Sequence, residues 1–273
     1  MWIKKDNIVR LVMVKKLISL FVGFLFVFSS TQITFAQEGF DYNRAYSDYV
    51  YTLDLYRKSH SEYLLARSQY QQAKTLTAQT AARDATAKIL EARDNAVATY
   101  LTAIRMRLGE TGLLTRLDAD VAWFNDHKSR IHSAGTLEDL TADSDEAKDH
   151  FELSKSLSYE ALLVISQGKV LDLREQVEEL FTKLKIKVAQ LSSDDGFNSQ
   201  VVDRWIIETE YKLTRSQEKY DDSMTHLAEI QNPKTKDTSE AYNSGLFRLQ
   251  ESVQYLDEAN QYVREILRGI RTK

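Results

Sequence analysis

The chain has 273 residues, one proline, nine glycines, no cysteine and a formal net charge of −4. The absence of cysteine excludes disulfides, thiol nucleophiles and thiolate metal sites. So few prolines and glycines leave β-sandwiches and barrels without the turn residues they need, and a balance of 36 basic to 40 acidic residues argues against a general nucleic-acid binder. The composition therefore predicts an all-α protein.

The N-terminal segment has the pattern of a secretory signal. Lys15 and Lys16 precede an apolar stretch over residues 17–28, and small residues then occupy the −3 and −1 positions of a cleavage site after Ala36. We expect residues 1–36 to be a signal peptide, with Met13 as an alternative start. The mature chain is then exported, as an extracellular, periplasmic or envelope-associated protein.

An uncleaved membrane anchor is the alternative for this segment. Its twelve apolar residues would rise only about 18 Å as a helix, short of the ~30 Å hydrocarbon core. We therefore expect membrane association only if the segment is retained. Cleavage removes five basic residues and one acidic residue, which changes the net charge from −4 to −8.

A strict seven-residue repeat opens the mature chain. Tyrosine recurs along what we call the tyrosine column: Tyr42, Tyr49, Tyr56, Tyr63 and Tyr70. Three residues after each tyrosine comes a small side chain, and these form the small column: Ala45, Thr52, Ser59, Ala66 and Ala73. Large rings alternating with small residues predict a helix against which a neighbouring helix packs closely.

The repeat ends after Ala73, where a threonine- and alanine-rich stretch begins. A second apolar stripe starts at Leu90, in a different phase. This change predicts a helix–helix turn within residues 75–82. One bent helix over residues 41–108 is the alternative.

Glycines and capping residues predict the remaining helices. A third helix follows Gly112, and a fourth is expected over residues 145–191 after a loop at 134–144. The fifth helix is stopped by Asn232-Pro233, and a sixth extends to the C-terminus. We expect an elongated antiparallel bundle of about six helices with coiled-coil-like seams. The long loop divides it into three-helix groups at 37–135 and 136–273.

Motifs for catalysis and metal binding are missing from the sequence. None of the five histidines follows a glutamate by three residues, and His127 and His132 are five apart, which places them on different faces of a helix. Asp118 and Asp120 resemble the start of a calcium loop, but no glycine follows at the sixth position. We therefore predict no metal, no cofactor and no catalytic residue, and a chain that is not an enzyme.

The tyrosine column has two interpretations. Its rings either pack against other bundle helices or form an exposed surface that contacts a partner protein, a ligand or an envelope polymer. The paired small column favours packing. Tyr42, Tyr49, Tyr56, Tyr63 and Tyr70 are nevertheless the candidate contact residues.

One segment carries a resemblance. Residues 92–95, Ala-Arg-Asp-Asn, and 99–105, Thr-Tyr-Leu-Thr-Ala-Ile-Arg, resemble a segment of uncharacterised exported helical proteins from candidate-phylum bacteria. The resemblance implies an exported bacterial helical protein and implies no activity.

Two functions therefore stand as hypotheses. The first is a non-enzymatic helical scaffold or interaction protein of the cell envelope or exterior, with a protein or envelope polymer as partner and no nucleic acid. The second is a binding module that holds a small ligand or envelope polymer in an inter-helix groove lined by the tyrosine column. A second copy of the chain can fill such a seam, so a homo-oligomer fits either hypothesis.

Overall fold

The computed structural model describes residues 36–109, 112–191, 199–232 and 237–271. The predicted signal peptide, apart from Ala36, and the alternative start at Met13 lie outside these ranges. Residues 192–196, where the sequence Ser-Ser-Asp-Asp-Gly predicts a turn, also lie outside them. Within the described ranges no helix combines the length and apolar character needed to cross a membrane.

Six α-helices contain most of the described residues, which confirms the predicted all-α class. They are α1 (Ala36–Gln72), α2 (Leu76–Arg105), α3 (Gly112–Ile131), α4 (Leu137–Leu191), α5 (Ser199–Gln231) and α6 (Thr238–Arg271). Residues 41–273 form one compact unit. The predicted division of the chain after residue 135 stays a prediction.

The first break settles the choice between a bent helix and a hairpin. Helix α1 ends at Gln72, and Thr75 caps α2 by accepting a hydrogen bond at 3.2 Å from the backbone N–H of Ala78. The turn is therefore at residues 73–75, and the rest of the threonine- and alanine-rich stretch belongs to α2. The side chains of Lys88 and Glu62 meet across the hairpin at 2.6 Å, as antiparallel helices require.

Helix α4 begins eight residues earlier than the sequence predicts. Thr136 and Asp139 form a reciprocal cap in which the N–H of Asp139 donates to the Thr136 hydroxyl at 3.1 Å. The N–H of Thr136 in turn donates to the Asp139 carboxylate at 2.9 Å. The side-chain hydrogen bond with Thr136, and after it this backbone hydrogen bond, lower the pKa of the Asp139 carboxyl group. This cap starts the helix at Leu137, so the predicted loop at 134–144 is mostly helical.

With 55 residues, α4 is about 80 Å long, and it joins the other helices together. Its first part packs on α2 and α3, where Leu140 meets Leu90 and Ile131 in a buried cluster. Its later part packs on α5 and α6 in a larger cluster that contains Leu163, Val170 and other buried side chains. Helix α4 therefore takes part in two sets of contacts, a first set with α2 and α3 and a second set with α5 and α6.

Helix α2 occupies the centre of the first set. No residue from Ile89 to Arg105 is exposed, because α1, α3 and α4 all lie against this stretch. Alanines at several of these positions keep the helix thin enough to be surrounded on every side.

A second hairpin, α5–α6, repeats the large–small pattern of α1. In α6, Tyr242, Leu249, Leu256 and Val263 form a large column, and Gly245, Ser252 and Ala259 follow at +3. The hydroxyls of Ser216 and Ser252 lie 2.9 Å apart across this hairpin. Counting outward from that antiparallel pair sets Thr209 opposite Ala259 and Ser223 opposite Gly245, so small residues face small residues and the helices come close.

Alanine substitutions at two helical glycines should change stability in opposite directions, because one glycine lies in open space and the other in a close helix contact. Gly168 in α4 is exposed, and a Cβ added there would meet no atom within 4 Å. We expect Gly168→Ala to raise the free energy of unfolding by about 0.5–1 kcal/mol, because alanine favours the helix over glycine. A thermal melt should show an increase in Tm of about 1–4 °C.

Gly245→Ala is the matched variant. Its Cβ would lie 2.8 Å from Leu163 Cδ2 and 3.3 Å from His226 Cβ, and Leu163 is fully buried. We expect the overpacking cost of about 1–3 kcal/mol to exceed the gain in helix propensity, so Tm falls. Equal changes in Tm for the two variants would contradict the close approach of α4 and α6 at this glycine.

Candidate functional site

The tyrosine column and the small column lie on the side of α1 that faces α2. Four of the five small residues are buried, namely Ala45, Thr52, Ser59 and Ala66. Ala73 is exposed, because α1 has already ended. The small column therefore forms the contact surface of the hairpin, and the tyrosines stand at its edge.

A single hydroxyl pair defines the register of this contact. Thr52 Oγ1 and Thr99 Oγ1 are 2.7 Å apart. Counting outward from this pair along antiparallel helices sets Ser59 opposite Ala92 and Ala66 opposite Ala85. Small residues thus recur every seven positions on both helices, and this allows the two backbones to approach closely.

The tyrosines differ in burial along the column. Tyr42 is 5% exposed, whereas Tyr49, Tyr56, Tyr63 and Tyr70 are half-buried. The guanidinium of Arg107 lies 3.6 Å above the ring of Tyr42, and the ring of Tyr49 lies 5.3 Å from that of buried Tyr100. The first two rings are therefore packing residues, and the later ones present an edge to solvent.

Burial controls the ionisation of these rings. It raises the pKa of Tyr49 to about 12, assisted by neighbouring Tyr46 and opposed by Arg57. It also raises the pKa of Tyr42, although Arg107 acts in the opposite direction. Both hydroxyls stay protonated at neutral pH and suit hydrogen bonding and packing rather than proton transfer.

A shallow groove opens beside the start of the tyrosine column. It has a volume of about 210 Å³ and is lined by Asp41, Arg44, Ala45, Asp48, Thr99, Thr102 and Met106. None of the five column tyrosines lines it. The structure therefore separates this groove from the rings that the sequence singles out.

The two hairpins differ in how the large column is covered. In α6, Tyr242 and Leu249 are 4% and 3% exposed, and the ring of α4 residue Tyr159 lies 4.9 Å from that of Tyr242. Leu163 of α4 also lies against Gly245. Helix α4 therefore covers the large column of the second hairpin, whereas the corresponding rings of α1 beyond Tyr42 remain partly open to solvent.

The five histidines occupy different surroundings. His60 lies between the rings of Tyr56 and Tyr63, with centroids 6.2 and 6.5 Å away. His132 and His226 pair with Glu91 and Glu229, at 3.2 and 3.0 Å. His127 and His150 lie instead in the contact between α3 and α4.

Around Trp123, aromatic and charged groups form a compact cluster. The indole stacks on His150 at 3.8 Å and on His127 at 4.9 Å between ring centroids. His150 lies 3.2 Å from the Asp120 carboxylate, and His127 Nδ1 lies 2.5 Å from Asp94 Oδ2. The calcium-like pattern begins with Asp118 and Asp120. Asp118 pairs with Arg105, and Asp120 pairs with His150.

Among the described residues, one group of side chains could hold a metal ion: His127, Asp143 and Glu146. Sequence reasoning does not find it, because its members lie on two helices. The sequence signal for Asp143 and Glu146 is an acidic run, which also fits the start of a helix. Asp94 gives no local signal for a partner 33 residues away.

The raised pKa of Tyr49 predicts a loss of stability in alkali. The folded protein favours the neutral ring, so this contribution is fully present below the ordinary value near 10 and is lost as pH rises from about 10 to about 12. Denaturant midpoints measured across this range should fall less steeply for Tyr49→Phe than for the unmodified chain. Tyr51→Phe, at a side chain that is 65% exposed, should leave the slope unchanged. Identical slopes for all three proteins would contradict the burial of Tyr49.

Comparison with known proteins gives no further guide to this site: no protein-family model, no curated protein and no solved structure matches the chain.

Proposed function

We propose that this chain is a non-enzymatic helical scaffold and interaction protein that works outside the cytoplasm, and that it contacts a partner helix through the tyrosine column of α1. The observation that carries the proposal is the half-exposed edge formed by Tyr56, Tyr63 and Tyr70. In the second hairpin, α4 covers the same large–small pattern. A helix is therefore the occupant that this pattern already accepts within the chain.

Tyrosine suits a surface that is alternately open and covered. Its ring contributes a large apolar area, and its hydroxyl can remain in water or bind a partner group. The corresponding column of α6 carries leucine and valine beyond Tyr242, which fits permanent burial. The difference in residue type between the columns favours a reversible contact at α1.

The remaining features agree with a scaffold. Helix α4 is a continuous rod that contacts both sets of helices, and such a rod holds binding surfaces at fixed distances. The absence of cysteine and the acidic net charge suit a protein outside the cytoplasm. A groove for a small ligand or polymer is less favoured, because the groove beside the column lacks its tyrosines.

Site-specific photo-cross-linking tests the proposal. A photoreactive side chain placed at position 63 in cells should give a discrete protein adduct, whereas the same group at position 51 should not. Tyr51 is a matched control, because it is an exposed tyrosine on the same helix but outside the column. The adduct's mass distinguishes a second copy of the chain from a different protein.

The double variant Tyr63→Ser/Tyr70→Ser should lose the adduct formed from a photoreactive group at position 56. Tyr51→Ser should retain it. Circular dichroism checks that both variants stay helical. Equal adducts from positions 51 and 63, or none from position 63, would overturn the proposed contact.

A further inference from the structure

A buried histidine in α3 faces two carboxylates of α4. Donor atoms of His127, Asp143 and Glu146 all lie within 4.8 Å of one another. His127 is fully buried, and within the described part of the chain its Nε2 atom has no hydrogen-bond partner. A buried polar nitrogen without a partner is costly, so a native protein normally satisfies it.

Asp94 of α2 orients this imidazole. Its Oδ2 lies 2.5 Å from His127 Nδ1, and both side chains are fully buried. Because Nδ1 is engaged by this carboxylate, Nε2 is the ring nitrogen that remains for a metal ion. A carboxylate that orients a histidine in this way is the usual outer partner of a metal-binding histidine.

We propose that His127 Nε2, Asp143 and Glu146 bind a divalent transition-metal ion, with Asp94 as the residue that positions the histidine. One imidazole and two carboxylates are ligands that Zn²⁺ accepts, and water can occupy the fourth position. The nitrogen ligand favours Zn²⁺ over Mg²⁺ or Ca²⁺, which prefer oxygen.

Two arginines balance the acidic groups around the site. Arg130 lies 3.0 Å from Glu146, and its side chain is 47% exposed. It can therefore move into solvent when a cation takes its place. Arg93 Nε lies 3.2 Å from Asp94 Oδ1, the oxygen that does not face His127, and Arg93 Nη1 donates to Ser144 Oγ at 3.4 Å, so this arginine supports the outer carboxylate from the side of α4.

The bound ion would join two helices directly, since His127 belongs to α3 and Asp143 and Glu146 belong to α4. The contact between Asp94 and His127 would couple α2 to the same site. Since a preformed site of this kind exists only in the folded chain, binding stabilises the fold in proportion to the logarithm of the free metal concentration. The inference is independent of the contact proposed for the tyrosine column.

Titration of the chelator-treated protein with Zn²⁺ and Co²⁺ tests the site. We expect saturable binding of one Zn²⁺ per chain by calorimetry, a visible absorption band with Co²⁺ and a rise in Tm that a chelator reverses. Asp143→Asn/Glu146→Gln should weaken binding at least tenfold and abolish the rise in Tm.

Asp145→Asn/Asp149→Asn is the matched control. It removes two exposed carboxylates from the same stretch of α4, so it makes the same change in charge without touching the ligand atoms, and it should bind as the unmodified chain does. Asp94→Asn should weaken binding roughly 10–100-fold, as loss of an outer partner does. The absence of saturable binding, or equal binding by Asp143→Asn/Glu146→Gln and the control, would overturn the proposal.

Discussion

Close approach of helix backbones is the constraint on which this bundle depends. In both hairpins, residues no larger than threonine recur every seventh position and face one another across the antiparallel pair. Thr52 with Thr99 and Ser216 with Ser252 mark the register, each through a hydroxyl contact of 2.7–2.9 Å. A buried hydroxyl finds its partner at this short separation, so the polar atoms stabilise the register instead of opposing burial.

The two hairpins differ in the residue type and the burial of the large columns beside these seams. Helix α6 is covered by α4, and its large column is almost wholly apolar. Helix α1 keeps tyrosines, whose rings are partly in contact with water. The same seven-residue spacing therefore gives a buried column in α6 and a partly solvent-exposed column in α1. The difference lies in the residue types and in the helix that packs on each column.

Much of the fold could be predicted because the helix pattern is local. Seven-residue spacing identified the buried side of α1, and capping residues located the turns approximately. The start of α4 was predicted eight residues too late because Ser144, just before the expected start at 145, is also a residue type that caps helices. In the structure the reciprocal pair of Thr136 and Asp139 forms the cap instead. The predicted turn at 75–82 was only partly correct, because threonine and alanine are tolerated inside a helix once Thr75 has capped it.

Because sequence patterns are local, the tyrosine column could be predicted and the cluster at His127 could not. The tyrosine column is a repeat within one helix and is visible in the sequence. The burial of a ring depends instead on its neighbours in the fold, such as Arg107 over Tyr42 and Tyr100 beside Tyr49. The cluster at His127 depends on three helices, and no spacing relates Asp94 to His127 or either of them to Asp143. Such a contact follows from packing and topology, which the sequence pattern does not specify at the level of individual side chains.

The course of α4 has a consequence for the order in which the protein is assembled. The first part of this helix meets partners already synthesised, whereas Val170, Val177 and Leu184 in its later part meet α5 and α6, which emerge afterwards. During synthesis this apolar stripe is therefore left uncovered until the C-terminal hairpin has been made. Its protection from aggregation in that interval depends on chaperones or on rapid closure of the final hairpin.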